Sequence, residues 1–338
     1  MRSAICKEPK KIVIEEIDPP VIDDDEVLIK VRSAGISGLD VLAYMGLHPA
    51  ISYPITLGHE ASGEIVTIGK NVDNFSIGDK VVVEPLMPCK KCQSCLSGNQ
   101  NYCQNLKMMG YNTPGVFSEY ISANASLVYP KDDNLSYEEA CLIEPLSTSI
   151  YTLKEIGVGI GDVIVIIGAG STGLLTLQTA KRSGASVIIM DKFIERLHLS
   201  ADFEADYTVN PSSNEANELV MAVTKGSGSP YVFECTGEPE HLEKAFDFVC
   251  TGGTVAMLEP LGNRPVQLPL TKITMNSIKI MGFTTYFGDI SIAIDLVNSG
   301  AINLNAIISH KFSFSEIGNA FEELAQGQED ITKAIIIF

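Results

Sequence analysis

Gly161-Asp162-Val163-Ile164-Val165-Ile166-Ile167-Gly168-Ala169-Gly170-Ser171-Thr172-Gly173 is the stretch whose reading decides the fold. Val163–Ile167 is an apolar run with no polar alternation, the pattern of a parallel strand covered on both faces. Glycines at 168, 170 and 173 follow directly, and a helical pattern opens at Leu174 and runs to Arg182. In that setting the glycines permit a tight turn and let backbone N–H groups, with Ser171 and Thr172 between them, approach a pyrophosphate at a helix N-terminus. The next strand, Ser186–Met190, leads into Asp191. A carboxylate there accepts hydrogen bonds from the ribose hydroxyls of NAD and repels the 2′-phosphate of NADP, an exclusion that Lys192 and Arg196 can soften.

Outward from this core, further strands are expected at Tyr207–Val209, 231–234, 254–258 and 278–281, with helices between most of them, as at 174–182 and 241–249. Strand–helix alternation of this length predicts a doubly wound α/β domain with a parallel sheet. Upstream, short β-rich runs at 27–31, 63–68, Lys80–Val83 and 117–121 are punctuated by Asp, Gly and Pro. They predict an irregular, partly antiparallel β domain. Residues 136–156 read as helical. A helical pattern after Asp289 and a strand-like end at 334–338 are placed back with the first domain. The expected division is 1–145, with a lobe at about 86–108; 146–289 for the cofactor; and 290–338 returning to the first part.

The 338 residues are 45% apolar and 20% charged, an ordinary globular composition. With 24 basic and 42 acidic residues the net charge is −18, which argues against nucleic-acid and anionic-membrane partners. The first eleven residues lack the apolar core of a signal peptide, and Val163–Ile167 is far short of a membrane span. A cytoplasmic protein is expected.

Four of the eight cysteines read Cys89-x-x-Cys92-x-x-Cys95-x₇-Cys103. Thiolates at this spacing suit tetrahedral zinc, and four sulfurs leave no open position, so the site is expected to be structural. A ferredoxin-type cluster would need x₃ before the fourth cysteine and proline after it, whereas Gln104 follows here.

Gly58-His59-Glu60, the cysteine lobe, Glu144-Pro145-Leu146 and the glycine fingerprint, in this order, resemble the zinc-dependent medium-chain alcohol and polyol dehydrogenases over essentially the whole chain. Within that family the resemblance is greatest to sorbitol, threonine and sugar-alcohol dehydrogenases. It implies a GroES-like catalytic domain, a Rossmann cofactor domain, and hydride transfer between a secondary alcohol (polyol, sugar or amino alcohol) and NAD. His59, Glu60 and Glu144 match ligands of a catalytic zinc, and Asp40 matches the aspartate that holds the ligand histidine. Tyr286 matches a substrate-pocket tyrosine, and Tyr44 is a further pocket candidate. The resemblance also implies a homodimer or homotetramer.

The chain departs from the family where the pattern reads Cys-Gly-Ser/Thr-Asp with a histidine two residues later. Here it is Ser37-Gly38-Leu39-Asp40-Val41-Leu42, so the zinc thiolate, the relay hydroxyl and the relay histidine are missing together. Ser37 is a poor substitute ligand, because a neutral hydroxyl binds zinc far less well than a thiolate. Thr285 likewise stands where sorbitol dehydrogenases have arginine. The alternatives are therefore a medium-chain reductase-type protein without catalytic zinc, or a catalytically silent NAD-binding protein.

Overall fold

The computed structural model describes residues 1–338 apart from 284 and 328–330, with the side chain of Asn214 also left undescribed. The chain divides into two compact units, one of residues 1–147 and 287–338, the other of residues 148–286.

The first unit is built on a mixed sheet in the order Val128–Pro130, Lys80–Val83, Glu60–Ile68, Glu26–Gly35, Ala334–Ile337, His310–Ser313, with Tyr120–Asn124 also pairing to Glu26–Gly35. Glu26–Gly35 is the central strand, and its alternating burial places Val27, Ile29 and Val31 in the core with Ile65, Val81, Phe117 and Ile336. The C-terminal strand pairs Ile335 with Gly35, while on the other side Gly35 pairs with Glu60. Residues 60 and 335, far apart in sequence, are thus brought to the same point of the sheet.

Two expected elements fall differently. The strand placed at 117–121 runs instead over Tyr120–Asn124. Val116 and Phe117 donate backbone hydrogen bonds to Gly58 and Leu57, so this apolar pair packs as a loop beside residues 57–58 before the strand begins. The helical span at 136–156 is two helices, Tyr137–Ala140 and Ile143–Ile156. Ser136 and Glu139 form a capping box on the first helix. Pro145, tolerated in the first turn of the second, would clash with the carbonyl of Cys141 in a continuous helix.

In the second unit six parallel strands follow the order Tyr207–Val209, Ser186–Met190, Val163–Ile167, Ser229–Glu234, Val249–Met257, Lys279–Gly282. That is the doubly wound order in which the first strand lies centrally and the connection reverses beside it. Val163–Ile167 is buried along almost its whole length, as its unbroken β-branched run requires. The strand expected at 254–258 starts earlier, at Val249, because Val249 pairs with Ser229 across an irregularity in the register. Among the described residues no helix is long and apolar enough to cross a membrane.

Candidate metal and dinucleotide sites

The four lobe cysteines converge. Cys89 and Cys95 sulfurs lie 4.0 Å apart, Cys92 and Cys95 3.5 Å, and Cys92 and Cys103 3.9 Å. Zinc–sulfur bonds of about 2.3 Å at tetrahedral angles put sulfurs about 3.8 Å apart, so these residues already have the spacing of a single ion. The N–H groups of Cys89 and Asn105 donate to the Cys103 sulfur at 3.2 and 3.3 Å. Hydrogen bonds from the backbone, that of Lys91 foremost, pull the Cys89 thiol down to about 6. Burial and the neighbouring thiols push Cys95 up to about 12.

A second group forms in the first unit. His59 ends the turn after Gly58, Glu60 opens the strand Glu60–Ile68, and Glu144 sits in the first turn of Ile143–Ile156. All three are buried, and their ligand atoms lie within 4.8 Å of one another. Burial pushes the Glu144 carboxyl well above the usual carboxylate range, reinforced by the carboxylates of Glu60 and Glu84 and opposed by Lys333. Glu60 Oε2 is fully buried, with the Lys333 ammonium 2.6 Å away. One imidazole and two buried carboxylates fit a divalent cation, since the single Lys333 ammonium beside Glu60 compensates only one of the two carboxylates.

Asp40 holds this region together. Its Oδ1 accepts the Gly58 N–H at 2.9 Å and lies 3.8 Å from His59 Nδ1. Its Oδ2 accepts both the N–H and the hydroxyl of Ser37, at 3.0 and 2.8 Å. Ser37 Oγ in turn accepts the Asp40 N–H, so Ser37 and Asp40 form the capping box of the helix Gly38–Tyr44. The hydroxyl of Ser37, read as a doubtful ligand, is engaged as a helix cap. Tyr44, a pocket candidate, lies in the core with its ring 5.2 Å from that of Phe321. Tyr286 is buried in the other unit, between Thr285 and Phe287 in sequence. Residue 284, just before this pair, lies outside the described residues.

Lys333 carried no signal in the sequence. Its Nζ donates to Glu60 Oε1 at 2.7 Å and lies 2.6 Å from Oε2, with both side chains 2% exposed. The Lys333 carbonyl accepts the N–H groups of Ser309 and His310, and its own N–H donates to Ser309 Oγ, which fixes the backbone from which the ammonium projects. Only pairing across the central strand brings residue 333 to residue 60, and spacing along the chain could not have found it.

In the second unit Gly168 has φ +100°, and a Cβ there would meet Thr236 Cγ2 at 2.5 Å. A Cβ on Gly173 would lie 1.8 Å from the Gly168 carbonyl oxygen, so the helix Ser171–Arg182 packs against the turn only with glycine there. At Gly170, which caps that helix without a side-chain hydrogen bond, a Cβ would meet nothing within 4 Å. That open space at an uncapped helix N-terminus fits a phosphate. Thr172 Oγ1 donates to Glu259 across the same turn. Asp191, buried at the end of the second strand, accepts the Ala169 N–H at 2.7 Å and the Phe193 N–H at 2.9 Å. Arg196 Nη1 lies 3.8 Å from Asp191, and Arg196 and Lys192 each stand 4.8 Å from the Phe193 ring. Glu234, which sequence reasoning missed, ends the neighbouring strand and accepts the N–H groups of Thr236 and Gly237. Burial pushes its carboxyl up to about 7.

Residues 23–133 match the alcohol dehydrogenase GroES-like domain and residues 171–299 the zinc-binding dehydrogenase domain. The chain is 32% identical to sorbitol dehydrogenase of Bacillus subtilis (strain 168), covering 99% of this chain and 97% of that protein. It is 32% identical to L-threonine 3-dehydrogenase of the same organism, over 94% and 92% of the two chains. An alcohol dehydrogenase from Escherichia coli CFT073, crystallised with NADH, superposes with a TM-score of 0.91 at 26% identity, covering 100% of this chain and 99% of that one.

Proposed function

The chain belongs to the zinc-type medium-chain alcohol and polyol dehydrogenase family, and from that premise we propose that it transfers hydride between a secondary alcohol and NAD, using a divalent ion held by His59, Glu60 and Glu144. The substrate class is a polyol, sugar or amino alcohol, as the relatives acting on sorbitol and threonine suggest. The observation that carries the reading is the buried group of one imidazole and two carboxylates, His59, Glu60 and Glu144, whose ligand atoms lie within 4.8 Å of one another. When bound, the ion supplies a Lewis acid that eases loss of the alcohol proton. His59 is oriented through Asp40, which the Gly58 N–H and Ser37 fix in place. The lobe formed by Cys89, Cys92, Cys95 and Cys103 takes a structural zinc.

For the cofactor, the open space at Gly170 and the N-terminal N–H groups after it receive the pyrophosphate. Asp191, with lone pairs left after its two backbone bonds, takes the adenosine ribose hydroxyls and favours NAD over NADP. The second unit also offers a surface for homo-oligomer formation. Its edge strand Lys279–Gly282 leaves Ile280 exposed, and the helix before it exposes Leu270 and Met275. A dimer or tetramer is the expected size, and a monomer at all concentrations would refute this.

Turnover tests the proposal. NADH formation is followed with a panel of polyols, sugars and amino alcohols, before and after dialysis against a chelator. Activity on one class, lost with the chelator and restored by Zn²⁺, is the expected result. Full activity in the presence of chelator, with the metal removed, would overturn it.

A further inference from the structure

Lys333 does more than neutralise a carboxylate. Its ammonium contacts both oxygens of Glu60 at 2.6–2.7 Å, in a place where neither side chain reaches solvent. Lys333 and the ion proposed for His59, Glu60 and Glu144 therefore share one ligand. The space for the pair is built into the backbone: a Cβ on Gly35 would lie 1.8 Å from Glu60 Oε2 and 3.1 Å from Lys333 Cε. Gly35 is held on one side by Glu60 and on the other by Ile335, two residues beyond Lys333, so the sheet sets the distance between ammonium and carboxylate. The hydrogen bonds that Ser309 and His310 make to the Lys333 backbone fix the point from which its side chain reaches Glu60.

We propose that Lys333 is a positioning residue that competes with the metal ion for Glu60. It keeps Glu60 aimed and compensated when the ion is absent, and it lowers the affinity of the His59–Glu60–Glu144 group so that its ion exchanges, while the four-cysteine ion stays. The physical reason is like-charge repulsion: a cation fixed on a shared ligand in a water-poor site opposes a second cation strongly. The replacement of the family's thiolate by Ser37, whose hydroxyl is committed to Asp40, leaves no soft ligand in this group to offset that competition.

This inference rests on the metal reading above, and the test separates the two. The four-cysteine site is first filled with Zn²⁺, and Co²⁺ is then titrated into wild type, Lys333→Met and Lys333→Arg. Affinity is read from the d–d absorbance and by calorimetry. Lys333→Met is expected to bind Co²⁺ at least tenfold more tightly than wild type, and Lys333→Arg, which keeps the charge, to stay within about threefold. Wild type that binds no Co²⁺ beyond the thiolate site overturns the metal reading itself. Wild type that binds, with Lys333→Met no tighter, overturns only the competition. Where Lys333→Met folds only with Co²⁺ present, the dependence of Glu60 on a cation is borne out. Where it does not fold at all, Lys333→Arg decides: a tenfold change in affinity despite the conserved charge refutes the proposal.

Discussion

Replacing Gly35 with alanine is expected to destabilise the unit of residues 1–147 and 287–338 by about 3 kcal/mol. The backbone of Gly35 is not in the left-handed region, so alanine would be unstrained there and, in a strand, would by itself stabilise by about 0.5–1 kcal/mol. The added methyl, however, would lie 1.8 Å from Glu60 Oε2. Pairing to strands on both sides prevents Cα from retreating, so the carboxylate must move. Lys333 is then left with an unpaired ammonium at 2% exposure. Separating a buried ion pair in this way costs about 3–5 kcal/mol, and the strand preference of alanine returns only a small part of it. Calorimetry reads the change as a lowered transition for this unit. Zinc content should stay unchanged at the four-cysteine site, which does not touch Gly35. A Gly35→Ala protein within about 1 kcal/mol of wild type would refute the claim that Gly35 makes room for the Glu60–Lys333 pair.

Gly170→Ala, where a Cβ would meet nothing, is expected to leave stability within about 1 kcal/mol yet weaken NAD binding tenfold or more; unchanged NAD affinity would remove the phosphate from that turn. Asp191→Ala should cost about 1–3 kcal/mol of NAD affinity and relax discrimination against NADP, and an unchanged cofactor preference in competition assays would reject its ribose role. Glu234 titrates at about 7 when folded and near 4.5 when unfolded. Its contribution to stability is therefore complete below pH 4.5, falls as pH rises, and is lost above about pH 7, a span of about 3 kcal/mol. Glu234→Gln should remove that slope, and unfolding curves at pH 5 and pH 7.5 that move in parallel for both proteins would show that Glu234 is not its source.

How much of this was legible depends on how far apart the partners lie in sequence. The glycine turn and the cysteine lobe are local: spacing alone brings Gly168, Gly170 and Gly173 to one turn, and the four sulfurs to distances of 3.5–4.0 Å. Asp191 was legible because parallel pairing places the end of the second strand beside the first, where its carboxylate meets the Ala169 N–H. Ser37, read as a doubtful ligand from its position, has a cheaper local partner in Asp40, which its place three residues before Asp40 made legible. For Tyr44, a pocket candidate, an aromatic ring near a site motif is as readily core, and Phe321 packs against it. Lys333 was invisible, because its meeting with Glu60 exists only through the pairing of the C-terminal strand with Glu26–Gly35.

The most direct test is metal content per chain, by elemental analysis of protein purified without chelators and supplied with Zn²⁺, for wild type and His59→Ala. Two ions in wild type and one in His59→Ala, with dehydrogenase activity lost in the variant, is the predicted result. One ion in both proteins would leave only the cysteine lobe occupied and contradict a catalytic ion at His59, Glu60 and Glu144.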